Sequence, residues 1–258
     1  MARLLIPEWQ PDLSDENANR TGLLRNAVPR ADGYGPFKAL QEFTQTVGAA
    51  CRGSLIARLS DGSVAIFAGT ATRLYLLNNT TLAWVDVSNG GGAYATLSTD
   101  ANWVFVQFND VIIATHRNVV MQAYDLLTSS QFANLAGTPP QAGWIGVVGQ
   151  FVVACDLLDD PLRGQWAGVN AITTWTTGTN LSDFQDMPDG GRVRAVKEIA
   201  GDVGIICQYN AIRRMIFAAG SDLIFQIDKL LSDRGILSAY SLTAANGLVF
   251  FLSSRGYV

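Results

Sequence analysis

The chain has a single histidine, His116, and three widely separated cysteines, Cys51, Cys155 and Cys207, with no Cys-x-x-Cys pair. That supply gives no zinc-ligand spacing and no disulfide framework, so a reducing compartment is expected. Cys155 and Cys207 fall in the apolar runs "FVVACDLL" and "VGIICQY" and read as buried thiols. Any Ser-His-Asp or Cys-His relay would have to use His116, which sits in "IATHRN" and reads as a solvated turn residue; no Gly-x-Ser-x-Gly accompanies it. No apolar run reaches the roughly 18 residues of a membrane-spanning helix. "MARLLIPEWQPD" is too short and too interrupted, by Pro7 and Glu8, for a secretory signal. Without such a signal the sequons at Asn19, Asn78, Asn79 and Asn180 carry no weight. Charge is also scarce. Only 16% of residues are charged, the net charge is −4 and the pI is about 4.9. The basic excess that grips phosphates is missing, and a mildly acidic surface suits a conduit for nucleic acid better than a clamp.

What the chain does have is apolar content, 48% over 258 residues, enough for a sizeable core in one all-β domain. Residues 1–50 stand apart. Four of the eight prolines lie there, at positions 7, 11, 29 and 36. "DLSDENANRTG" is a candidate short helix capped by Ser14, and "PFKALQEFTQTV" has weak helical spacing. The segment from Asn26 to Leu40, "NAVPRADGYGPFKAL", reads as neither regular helix nor regular strand, yet it holds two large aromatics. The region is expected to be an extended arm. Trp9, Tyr34 and Phe37 are its candidate interface anchors, because aromatics on an extended strap are the usual make-up of an interface hot spot.

From about Ser54 the pattern becomes short strands with tight Gly-, Asn- and Thr-rich turns. "SVAIFAGT", "TRLYLLN" and "LAWVDVS" make one set; "WVFVQFN", "DVIIATH" and "VVMQAYDL" a second. "GWIGVVG", "QFVVACDL" and "GQWAGVN", with "ITTWTT" behind them, make a third. "RVRAVKEIA", "DVGIICQY", "AIRRMIFAA" and "DLIFQIDKL" make a fourth, and "AYSLTAAN" and "GLVFFLSS" begin a fifth. The most apolar second strand of each set centres on Phe67, Ile113, Val153, Ile206 and Phe251, at spacings of 46, 40, 53 and 45 residues. A repeat of about 40 to 50 residues with four strands per repeat predicts a β-propeller. The expected fold class is therefore all-β, with four-stranded blades over 51–258: four complete blades and the start of a fifth. A sandwich or barrel would space strands evenly, without grouping by fours. The end in "FLSSRGYV" favours a longer parent chain, the alternative being closure by a strand such as "ARLLI". Trp84, Trp103, Trp144, Trp166 and Trp175 fall in strand contexts and read as packing residues.

Two charged clusters remain. Asp156, Asp159 and Asp160 in "CDLLDDPLRG" are either a solvated inter-strand loop or paired carboxylates for sugar hydrolysis or calcium. Arg192 and Arg194 share one strand face and Arg213 and Arg214 lie on a nearby hairpin. They are candidates to meet an acidic partner or steady passing phosphates, or else simply charge an outer strand against edge pairing. No aromatic is interleaved with them, so a single-strand stacking platform is unsupported.

"NAVPRADGYGPFKAL", "CRGSLIARLSDGSVAIFAGTATRLYLLNNTTLAWVDVS" and "GWIGVVGQFVVACD" together resemble the tail-nozzle (tail-hub, tail tube B) proteins of short-tailed bacteriophages. In that family an Asn-x-x-Pro…Gly-Tyr-x-Pro-Phe segment precedes a propeller, and a Gly-Thr…Leu-Tyr hairpin and a Trp-bearing strand follow. The resemblance implies a virion component made in the bacterial cytoplasm: a homo-oligomeric ring, six copies in the family, below the portal and its adaptor. Tail fibres or spikes would attach to it, and genome DNA would pass through without sequence-specific binding. The motifs are structural, so no catalytic residue, cofactor or metal is implied, and a non-enzymatic role is expected. The alternative is a carbohydrate-active or carbohydrate-binding propeller that uses Asp156, Asp159 or Asp160.

Overall fold

The computed structural model describes residues 23–31, 33–39, 41–221 and 223–258. The chain divides into two compact units, Met1–Phe43 and Thr44–Val258. Trp9, the candidate cap Ser14 and the "ARLLI" strand lie outside the described residues.

In the first unit the "NAVPRADGYGPFKAL" segment is more regular than expected. It forms an antiparallel hairpin, β1 (Ala27–Arg30) with β2 (Gly33–Pro36), in register Ala27 to Pro36 and Arg30 to Gly33. Two prolines are tolerated because a two-stranded ribbon has outward edges where a missing N–H costs nothing. Asn26 enters at φ +54, and its carbonyl accepts the Phe37 N–H at 2.8 Å. Residues 37–39 and 41–43 are not helical, and Phe37 and Phe43 are exposed.

The second unit is a series of four-stranded antiparallel meanders. The first sheet is β3 (Ser54–Arg58), β4 (Val64–Gly69), β5 (Leu74–Leu77) and β6 (Trp84–Asp86). The second is β7 (Val104–Phe108), β8 (Val111–Thr115), β9 (Gln122–Asp125) and β10 (Ala133–Asn134). The third is β11 (Ala142–Val148), β12 (Phe151–Leu157), β13 (Arg163–Trp166) and β14 (Asp183–Asp186). The fourth is β15 (Val193–Ala200), β16 (Val203–Gln208), β17 (Ile212–Phe217) and β18 (Phe225–Leu231). A fifth segment holds β19 (Thr243–Ala245) with β20 (Leu248–Phe250), then the short pair β21 (Leu252–Ser253) and β22 (Gly256–Tyr257). This is the β-propeller arrangement, and among the described residues helix is confined to three-residue 3-10 turns.

The burial pattern explains the repeat. The second strands β8, β12 and β16 are covered on both faces, so alternate residues enter different cores. On β8, Ile112 and Ala114 pack towards the first sheet with Phe67, Leu74 and Phe132, while Ile113 packs towards the third with Ile145 and Val152. On β12, Val152 and Ala154 face the second sheet, while Val153 and Cys155 face the fourth. On β16, Ile206 faces the third sheet, while Ile205 and Cys207 face Ile236 and Phe251. Aromatic rings tighten two of these seams, Phe67 against Tyr124 at 5.2 Å and Phe225 against Phe151 at 4.9 Å, both edge-on.

Phe67, Ile113, Val153 and Ile206 each lie on the second strand of their sheet; Phe251 is buried one residue past β20. "ITTWTT" is not the fourth strand of its sheet. Thr174 N–H closes a turn on the Ala171 carbonyl at 3.0 Å, Trp175 drops into the core between the second and third sheets, and β14 supplies the fourth strand instead. The second sheet also has a fourth strand, the two-residue β10, too short to carry a pattern.

Replacing Ile206 by Ala is expected to cost about 2 to 5 kcal/mol, the usual range for a fully buried aliphatic side chain. Replacing Arg214, half-exposed and paired to Asp228, should cost less than about 1 kcal/mol. Urea denaturation of the two variants checks the contrast.

Candidate functional site at the axial cleft

The first strands of consecutive sheets, β3, β7, β11 and β15, lie side by side and jointly line a cavity of about 440 Å³ together with Tyr240 and Leu242. Their approach is close. A Cβ on Gly146 would stand 2.8 Å from Val196 Cγ1 and 2.9 Å from the Val196 carbonyl oxygen, so only glycine fits there. Trp144 Nε1 donates to that same carbonyl at 3.0 Å. Where these strands start, a second cleft of about 350 Å³ opens. The segments from the second sheet onwards contribute to it: the link 97–102 before β7, His116 to Asn118 after β8, Gly143 and Asp156 from the third sheet, Arg192 and Arg194 at the start of β15, and Ala239 and Tyr240 from the turn before β19.

The walls are braced by Arg52. Its guanidinium donates to the carbonyls of Ser98 at 2.8 Å and Thr99 at 2.6 Å, to that of Ala101, and to Asn102 Oδ1 at 3.1 Å. Asn102 N–H in turn donates to the Tyr240 hydroxyl at 2.8 Å. Trp103 anchors the same link. It packs over Gly53 and Gly69, where a Cβ would collide with it, and its Nε1 donates to the Thr70 carbonyl at 2.8 Å.

His116 is not the solvated turn residue expected from its neighbours. It is 2% exposed and stands edge-on to Trp103 at 4.5 Å. Its Nδ1 accepts the Asn118 N–H at 3.3 Å, which puts the ring proton on Nε2. Nε2 is buried without a hydrogen-bond partner. Burial pushes the imidazole down to about 4, and the Ala95 backbone opposes this without reaching hydrogen-bonding geometry.

The three aspartates of "CDLLDDPLRG" separate. Asp156 lies on β12 with φ +56, and a glycine, Gly143, makes room for its carboxylate. It pairs with Arg192 Nε, and Arg117 Nη1 is 4.0 Å away. Burial raises its carboxyl to about 6, against the pull of Arg117 and Arg194. Asp159 and Asp160 lie in the turn before β13 and do not line the cleft; Asp160 pairs with Arg163 at 3.3 Å. Among the described residues no three His, Cys, Asp or Glu side chains gather as metal ligands.

Of the four arginines singled out, Arg192 and Arg194 share the cleft. Arg213 and Arg214 do not line it. Arg213 is 8% exposed and donates to Gln208 Oε1 at 2.6 Å and to Asp189. Arg214 meets its cross-strand neighbour Asp228 at 3.1 Å. Arg117 and Tyr240 complete the cleft and were not legible as site residues, because turns remote in sequence bring them there. In the first unit Tyr34 is half-buried on β2 and Phe37 is 57% exposed just after it. Cys155 and Cys207 are buried as expected and their thiols are pushed up, Cys207 to about 12, while Cys51 is exposed.

No family model and no curated protein matches the sequence. Solved structures do. The N-terminal part of BBS1, crystallised with ARL6, has a TM-score of 0.51 at 12% identity, over 84% of this chain and 67% of that one. A quinonprotein alcohol dehydrogenase-like protein of Bacteroides thetaiotaomicron has a TM-score of 0.48 at 13% identity, over 82% of this chain and 51% of that one. Virginiamycin B lyase from Staphylococcus aureus has a TM-score of 0.49 at 11% identity, over 88% and 69%. The chain is a β-propeller by this likeness as by its own sheets. At such identities the likeness concerns the fold alone.

The two perturbed groups of the cleft give opposite pH dependences. His116 titrates near 6.5 unfolded and near 4 folded, so stability present above pH 6.5 is lost as pH falls towards 4. Asp156 titrates near 3.8 unfolded and near 6 folded, so its contribution is full below 3.8 and is lost as pH rises through 6. Each is on the order of 3 kcal/mol and they largely cancel in the intact protein. Relative to wild type, His116→Phe should gain stability as pH is lowered from 6.5 to 4, and Asp156→Asn should lose it. Urea denaturation across that range tests this; parallel curves for wild type and both variants would refute the buried neutral imidazole and the buried carboxylate alike.

Proposed function

We propose that the protein is a structural component of a virion, a tail-nozzle subunit of a short-tailed bacteriophage. It would be made in the bacterial cytoplasm and built as a homo-oligomeric ring, of six copies as in the family it resembles, beneath the portal and its adaptor. What carries the reading is where the resembling residues fall. "NAVPRADGYGPFKAL" contains the hairpin β1–β2, "CRGSLIARLSDGSVAIFAGTATRLYLLNNTTLAWVDVS" spans the whole first sheet, and "GWIGVVGQFVVACD" is the paired start of the third. The resemblance therefore covers complete structural elements, in the order in which a docking arm precedes a propeller.

The arm belongs to a compact unit of its own and exposes Phe37 and Phe43, at 57% and 76%. Exposed aromatics just beyond a short ribbon are the natural contact with a neighbouring subunit or with the adaptor ring. The net charge of −4 supports a wall that lets DNA pass rather than one that holds it. Among the described residues no helix is long and apolar enough to cross a membrane.

The carbohydrate alternative has less behind it. A glycosidase needs two carboxyls facing one substrate, and Asp156 lines the cleft without Asp159 or Asp160. In particles purified from the producing host, peptides of this chain are expected at a ring's stoichiometry against the portal protein by quantitative mass spectrometry. Their absence from particles would overturn the nozzle reading. Changing Tyr34 and Phe37 together to Ser should leave the propeller's melting unchanged and abolish ring formation, read by mass photometry; a variant that still assembles would exclude the arm as the contact.

A further inference from the structure

We infer that the axial cleft is a binding site for a small phosphate-bearing ligand, held by Arg194, Arg117 and Arg192 with His116 behind them. The inference goes beyond the assembly role and does not depend on it. Its basis is a set of donors that the protein itself leaves unmatched. Arg194 makes no hydrogen bond and no ion pair among the described residues; it acts on Asp156 and Tyr240 only through its field. Arg117 spends one terminal nitrogen on the carbonyls of Leu157 and Leu158, at 3.3 and 3.2 Å, yet its Nε is buried with no partner. His116 presents a buried Nε2–H with no partner, its proton fixed there by the Asn118 N–H on Nδ1. Arg192 is committed to Asp156 alone.

Buried donors without acceptors are costly, and charged ones more so. In this unit such atoms are few, and two of the four fall on adjacent residues of one cleft. The charge balance points the same way. Three guanidiniums face two carboxylates, Asp156 and the exposed Asp100, so the cleft keeps a positive excess inside an acidic protein. An anion is the missing acceptor.

The donor number selects its class. Four side chains approach from two different sheets, and together they offer more N–H donors than the roughly four lone-pair positions of one carboxylate accept. A phosphate offers three or four oxygens and up to two charges, and guanidinium forks fit it. The cleft's volume of about 350 Å³ lies at the small end of small-molecule sites, which fits a phosphomonoester or free phosphate rather than a polymer. The Tyr240 ring, packed on Trp144 at 5.9 Å, supplies a flat wall for an organic portion.

Thermal melting and calorimetric titration of the full-length protein, with inorganic phosphate and with a nucleoside monophosphate, test the site against sodium chloride of equal ionic strength. Phosphate in the millimolar range should raise the melting temperature when matched chloride does not. Arg194→Gln should melt as wild type without ligand, since Arg194 anchors nothing, and should bind phosphate roughly tenfold more weakly. Arg194→Lys should recover part of the loss, and Arg214→Gln, outside the cleft, should bind as wild type. Tighter binding of the monophosphate would identify an ester as the ligand, and equal binding free phosphate. No stabilisation beyond the chloride control, or stabilisation undiminished in Arg194→Gln, would overturn the site.

Discussion

Face-to-face burial of consecutive sheets is the constraint from which the rest of this propeller follows. A sheet sandwiched between two others has no solvent face, so its second strand must be apolar at every position rather than every other one. That requirement is met in β8, β12 and β16, where neighbouring residues send side chains into separate cores. Each core is built mainly from two neighbouring segments, with Trp144 of β11 reaching three of the four cores. Stability is thereby distributed along the chain as a row of seams, each holding its two neighbours, in the manner of repeat proteins.

The seams fix the angle between sheets, and the angle crowds the first strands together. Crowding explains Gly146 beneath Val196 and the Trp144 bond to the Val196 carbonyl. It also explains why a link as irregular as 97–102 is held so firmly. Arg52 gathers three of its carbonyls, and Trp103 is wedged over two glycines from the preceding sheet. The cleft is the space left where these braced starts fail to meet, and its polar lining reflects strand ends whose side chains escape the cores.

The second strands were legible in the sequence because burial on both faces leaves an uninterrupted apolar run, and four of the five predicted centres lie on the strands expected. Two fourth strands, β10 and β14, were not, whereas β6 in "LAWVDVS" and β18 in "DLIFQIDKL" were, and in the first sheet it was the half-exposed first strand β3 that escaped notice. β10 has two residues, and the β-branched run "ITTWTT" had strand propensity but was closed into turns by local hydrogen bonds while Trp175 found a core. The arm's hairpin was hidden by its prolines, which a two-stranded ribbon accommodates. For the site, strand parity served well at Arg192 and Arg194, which share a face and a cleft. Parity also separates the consecutive pair Arg213 and Arg214, of which one turned inwards to Gln208 and Asp189 and the other met Asp228. The burial of His116 is a tertiary fact that its sequence neighbours do not carry. The ring it stands against, Trp103, sits on the preceding strand's approach, and nothing in "IATHRN" announces it. Asp156 shares a sequence cluster with Asp159 and Asp160, but its left-handed backbone sets it apart from them.

A row of pairwise seams has a mechanical weakness. Strain at one seam is felt by the adjacent sheets and fades beyond them. The axial cleft is the exception, since its lining draws at once on the second, third and fourth sheets and on the turn before β19. An occupant there would serve as a keystone, touching three sheets at once, so that a local event would reach past a single seam in one step.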